Sequence, residues 1–236
     1  MSNFSSRHER EDMLDLLRAY NNLRMGRSHP FIEEEDFERI IDYFDDKEEI
    51  TTAIEAAENG IQQYPYSSSL LLKKADLLIA TKKYNEALET LSRAESFGTK
   101  NITLSILKTD AYLALDQHED ALQLLETSLN MFDGNERIEL LFELADVYDD
   151  YEDFQKVFEC LKWILEEDPT NEEALMNICF WADFTGRNEE SIKLHLKIID
   201  KHPFNELAWF NVATAYQSLK LYEKAIDAYL YALAIN

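Results

Sequence analysis

The side chains here that could carry chemistry are carboxylates, imidazoles and thiols, and their spacing argues against most of it. Two acidic clusters, DYFDDKEE at 42–49 and DVYDDYEDF at 146–154, supply enough oxygens to suggest calcium. Neither has the central glycine and alternating oxygen positions of a calcium loop, so both read as solvated turns between helices. The five histidines, His8, His29, His118, His195 and His202, are scattered. His195 and His202 could share a helix face, but Pro203 closes the helix there, which predicts a solvated or packing role rather than a metal pair. Cys160 and Cys179 lie inside helical patterns without CxxC or Cys/His spacing and read as reduced, partly buried thiols. Phosphate-binding glycine loops, HExxH and GxSxG are absent from the sequence. The expectation is a chain with no catalytic residue, no metal and no cofactor, which turns attention from reactions to surfaces.

Charge narrows the partners of such a surface. Against 23 lysines and arginines stand 47 aspartates and glutamates, a formal net charge of -24. That field repels nucleic acid and anionic membrane, so a charged partner is expected to be basic. The first residues, MSNFSSRHEREDMLDLL, lack the apolar run of a signal peptide, and no stretch has the length of a membrane span, which predicts a cytoplasmic protein. Five glycines and four prolines among 236 residues leave long helices uninterrupted, and 46% apolar content suffices for a core. An all-α fold follows.

The elements that position any surface repeat along the chain. Ala53, Ala87 and Ala121 stand 34 residues apart; Val157 follows after 36, then Ser191 and Ala225 at 34 again. Twelve residues before each comes Ile41, Ala75, Thr109, Ala145, Cys179 or Ala213, and five of these six are also small. Two helices approach closely only where both present little side chain, so each unit reads as an antiparallel pair crossing at these positions. Pro65, Pro169 and Pro203 close helical segments in the same rhythm, and the extra two residues fit the turn-like stretch DGNERI at 133–138.

The last unit, ELAWFNVATAYQSLKLYEKAIDAYLYALAIN, resembles the tetratricopeptide repeat family in Trp209, Val212, Ala213, Tyr216, Ala225, Tyr229 and Ala232, with alanine where the family has glycine. The same register holds at Leu141, Leu144, Ala145 and Tyr148, and at Leu175, Ile178 and Cys179. Lys74 and Lys108 depart from it at usually apolar places, and Thr99 and Asp133 replace the closing proline. Six units are expected over residues 33–236, beginning near Glu34, Ser68, Ile102, Ile138, Glu172 and Glu206, after an N-terminal helix and linker at 1–32. The resemblance implies a right-handed superhelical solenoid whose first helices line a concave groove, and a protein-binding adaptor or scaffold as its use.

Two columns of residues then face the groove. The fifth place of successive units holds Glu38, Leu72, Ile106, Phe142, Met176 and Phe210; the ninth holds Asp42, Asp76, Asp110, Asp146, Phe180 and Thr214. Some relatives grip a partner's terminal carboxylate with lysine at the fifth place and asparagine at the ninth, and this sequence departs from that pattern in every unit. An apolar stripe beside stacked aspartates instead suits a protein or peptide with basic and apolar side chains, met by Leu72, Asp76, Ile106, Asp110, Phe142, Asp146, Met176, Phe180 and Phe210.

Residues 1–32 hold five of the nine arginines and a local charge of about +1, leaving -25 on the remainder. Ser6 to Glu9 read as a capping box and Gly26 as a stop, which predicts one helix over 7–25 with Met13, Leu16, Leu17, Tyr20 and Leu23 on one face. That helix either caps the first repeat or enters an acidic groove, its own or a neighbouring copy's. At the other end, YEKAIDAYLYALAIN stops in mid-pattern with Tyr229, Leu230, Ala232 and Leu233 awaiting cover, as in a chain truncated before further repeats or covered by a second copy. The alternatives to an adaptor are therefore a self-assembling oligomer, joined through the N-terminal helix or the last repeat, and the regulatory or targeting part of a larger multidomain protein.

Overall fold

The computed structural model describes residues 2–98 and 100–235, with side chains from Glu11 onward. Thirteen α-helices are found among them and no strand. An N-terminal helix, α1 (Ser2–Arg24), precedes six pairs: α2 (Glu34–Asp45) with α3 (Ile50–Gln63), α4 (Ser68–Ala80) with α5 (Tyr84–Ser96), α6 (Ile102–Ala114) with α7 (His118–Ser128), α8 (Gly134–Asp150) with α9 (Phe154–Glu167), α10 (Glu172–Phe184) with α11 (Asn188–Lys201), and α12 (Glu206–Ser218) with α13 (Tyr222–Ile235). The pairs are antiparallel and the fold is that of a tetratricopeptide array. The chain divides into two compact units, one ending at Ala121 and the other beginning at Leu122.

The small-residue columns are where helices meet. Ala53, Ala75, Ala87, Thr109, Ala121, Ser191 and Ala213 are sealed from solvent, and only Cys179 of the two columns is half-buried. Gly60 marks a still closer approach: a Cβ there would stand 3.0 Å from Leu70 Cδ1 and 3.1 Å from Phe37 Cγ.

Each pair turns back in the same way. Glu48, Lys82, Asp116, Glu152, Gly186 and Lys220 all have φ between 59° and 72°. In each turn that residue's N–H bonds the carbonyl three residues back, and the next N–H bonds the carbonyl five back, as Lys82 to Ile79 and Lys83 to Leu78. The left-handed residue closes the orphan carbonyls of the first helix. Only one of the six is glycine, so the turn is dictated by packing of the pair and not by local freedom.

The starts of the first helices repeat too. The side chains of Ser67, Asn101, Asn171 and Asn205 accept from the N–H groups of Leu70, Thr103, Ala174 and Ala208. At the matching place in the fourth pair stands Arg137, which cannot accept, and α8 begins a turn earlier at Gly134. The stretch GNERI, read above as turn, is therefore helical. The Arg137 guanidinium is used instead on the Leu129 carbonyl and, at 3.1 Å, on Glu167.

The N-terminal helix begins at Ser2, ahead of the expected capping box, whose side chains lie outside the described residues. Its apolar face is spent on the first pair. Tyr20 is fully buried with its ring 6.0 Å from Phe44; Arg39 reaches back to Asp12 at 2.7 Å; and Arg24 grips Glu55 through both Nε and an amino nitrogen. It is a cap on α2 and α3.

Candidate protein-binding surface

In the first unit, the apolar column lies deep. Leu72 is buried at 7% exposure and Ile106 half-buried, because α4 packs against both α2 and α6. Leu72 therefore contributes packing and offers a partner little surface. The aspartates remain at the surface in less favourable company. Partial burial raises the carboxyl of Asp76 above the ordinary carboxylate range; Asp45 raises it further and Lys73 opposes. Burial raises Asp110 in the same way, with Asp76 adding to it. Asp42 at the head of the column is different, since Lys73 pairs with it directly. Thus Asp76, at the surface, and Asp110, half-buried, both have raised carboxyls, and the charge of Asp76 adds to the burden on Asp110.

The second unit presents what the first hides. Met176, Phe180 and Phe210 are 63%, 60% and 47% exposed, with Phe142 half-buried beside them. Asp146 is raised by burial and then by Asp149, Asp150 and Glu173, all carboxylates. Of the residues read from the sequence, this unit holds acid on α8 and apolar side chains on α10 and α12.

Three rings escaped the sequence reading because they stand at neither the fifth nor the ninth place. Phe184, one turn beyond Phe180 and 60% exposed, stacks on it at 6.1 Å between ring centroids. Phe154 at the start of α9 stacks on Trp181 at 5.2 Å and meets Phe184 edge-on at 4.9 Å. The four-residue step from Met176 to Phe180, continued once more, was the available signal.

The candidate chemical groups resolve into packing. His195 is fully buried; its Nδ1–H donates to the Ser191 carbonyl at 2.7 Å, and burial lowers its pKa to about 4. His202 is exposed and does not join it. Cys160 is buried, which pushes its thiol to about 12, and Cys179 is half-buried and also raised by burial. Among the described residues no group of three His, Cys, Asp or Glu is placed to hold a metal, and no helix is long and apolar enough to cross a membrane.

The model of one protein family, ChAPs (Chs5p-Arf1p-binding proteins), matches residues 40–157, half of the 236-residue chain. Among solved structures, the chain is similar to a tetratricopeptide repeat protein from Parabacteroides merdae, with 22% identity and a TM-score of 0.54 over 83% of this chain and 77% of that one. It is also similar to the C-terminal part of a TPR repeat-containing protein from Cytophaga hutchinsonii, with 11% identity and a TM-score of 0.57 over 84% and 78%. At these identities the likeness is one of fold. No curated protein sequence matches.

Proposed function

The chain belongs to the ChAPs family of Chs5p-Arf1p-binding proteins, and from that premise we propose that it is a non-enzymatic, cytoplasmic adaptor that holds a protein partner on its first-helix surface. Candidates for the partner are proteins of the kind the family is named for. The contacts are made by Asp76, Asp110 and Ile106 in the first unit and by Phe142, Asp146, Met176, Phe180 and Phe210 in the second. One observation carries this reading: Asp76, Asp110 and Asp146 are all raised by burial and by other carboxylates. A folded protein holds such groups at a cost, and a basic partner removes it.

Asp76→Asn, Asp110→Asn and Asp146→Asn together are expected to weaken capture of the partner from its native source and to flatten the dependence of capture on salt. Capture unchanged in strength and salt response would move the site off these helices.

A second reading, self-association, is favoured by a single stripe on α13, where Tyr222, Ile226, Leu230 and Leu233 are each more than half exposed. Light scattering over a concentration series separates the two, because the adaptor reading allows a monomer and the self-assembly reading does not.

A further inference from the structure

The exposed apolar surface of the second unit is a ridge with one acidic wall. Met176, Phe180 and Phe184 stand one turn apart along α10, each about 60% exposed, on a line of about 12 Å. The ridge is stiff, since Phe180 and Phe184 stack on each other and rest on the Phe154–Trp181 stack below. Across from it α8 carries Asp146, Asp149 and Asp150, and Glu173 at the start of α10 joins their field. α10 packs on α9 and α12 and makes few close backbone contacts with α8. The face that α8 and α10 share thus has an aromatic side and a carboxylate side.

What fits is set by what that face can satisfy. An extended segment would bring unpaired backbone groups against the ridge, and a buried unpaired N–H or C=O is costly. Of the polar side chains nearby, Asn177 donates to the Glu173 carbonyl, Thr214 to the Phe210 carbonyl, Gln217 accepts from Tyr229, and Asn211 is buried on Leu175. A helix brings its backbone bonds with it. Its side chains at every third and fourth place match the one-turn spacing of the ridge, ridge into groove. The wall requires lysine or arginine on one flank, and arginine can also lie on the exposed faces of Phe180 and Phe184.

We propose that the face shared by α8 and α10 receives an amphipathic helix of a partner protein, its apolar stripe on Met176, Phe180 and Phe184 and its basic flank toward Asp146, Asp149, Asp150 and Glu173. This rests on the adaptor reading and adds to it the secondary structure and orientation of the bound segment.

The test uses two synthetic helical peptides with leucine at every third and fourth place, one flanked by arginine and one by glutamate, titrated into the full chain by fluorescence anisotropy. The arginine peptide is expected to bind and the glutamate peptide not. Phe180→Ser with Phe184→Ser, both at solvent-exposed positions, is expected to lower the affinity by about tenfold or more. Asp146→Asn with Asp149→Asn lowers it and weakens its salt dependence. Should the aromatic double variant fail to fold, as circular dichroism would show, Met176→Lys takes its place and repels the same peptide. Equal binding of the arginine peptide to parent and aromatic variant would mean bulk charge attraction and would overturn the proposal, as would no binding. Partner capture separates the two levels: capture that survives the aromatic substitutions but fails with Asp76→Asn and Asp110→Asn leaves the adaptor reading standing and removes this helix site.

Discussion

Asn211 on α12 donates to His195 Nε2 on α11 at 3.1 Å and, through the same amide nitrogen, to the Leu175 carbonyl of α10 at 2.7 Å. Three helices from two successive pairs are thereby joined by one buried side chain. The Leu175 carbonyl fixes the amide orientation, and the amide in turn requires Nε2 to be the unprotonated nitrogen, so the imidazole is neutral.

That neutrality makes the second unit acid-sensitive. The pKa of His195 lies at about 4 when folded, below its ordinary 6.5, so the stability it supplies is complete above pH 6.5 and is lost as pH falls toward 4. The full loss is about 3 kcal/mol. Urea midpoints followed by tryptophan fluorescence should fall across this window, and His195→Gln, less stable at pH 7, should lose most of that slope. A slope unchanged in the variant assigns the effect elsewhere.

The repeated turns predict gains from glycine. A non-glycine residue in the left-handed region costs about 1–2 kcal/mol, and glycine returns about 0.5–1 kcal/mol of that through the freedom of the unfolded chain. Lys82→Gly and Lys220→Gly, at φ of 60° and 59°, are therefore expected to stabilise by about 0.5–1 kcal/mol each. Gly186→Ala, at φ 72° with open space around it, should cost about as much through the backbone alone. Denaturant titrations of the three variants check the signs.

Asp110→Asn should raise stability at pH 7. A carboxyl whose pKa is raised on folding favours the folded state at pH below its ordinary value and opposes it as pH rises through the folded value. Removing the charge removes that opposition. Asp76→Asn should gain less, because Lys73 already offsets part of its burden. Thermal melts at pH 7 and pH 4 distinguish the two, the gain shrinking at the lower pH.

The thiols should separate by accessibility. Cys160 is sealed and its thiol stays protonated up to about pH 12, whereas Cys179 is half-buried. With an aromatic disulfide reagent at pH 8, Cys179 should react first and Cys160 only at the rate of unfolding. Rapid modification of Cys160 in the native protein would contradict its burial.

The fold was legible because close helix crossings favour small residues, and Ala53, Ala87 and Ala121 recur at sealed positions where the helices meet. The start of α8 was not, because DGNERI has turn composition, and only the loss of a capping side chain at Arg137 lets the helix run back to Gly134. The repeat register set the aspartates on the first helices away from the packed columns, and there Asp76 and Asp146 are exposed and Asp110 half-buried. It could not separate Leu72, held under two neighbouring helices, from Met176, left open, because exposure at one register place depends on how closely successive first helices pack. Lys108 looked like a defect in the pattern; it is 6% exposed and reaches Glu95 at 2.6 Å, its stem serving as the apolar residue the place requires.

The raised carboxyls of Asp76, Asp110 and Asp146 have a further consequence for any basic ligand they meet. A cation that settles beside them restores their ordinary acidity, so association expels protons into the buffer. Calorimetric heats measured in buffers of different ionisation enthalpy should then diverge, most strongly at mildly acidic pH, and affinity should climb as the solution is made less acidic.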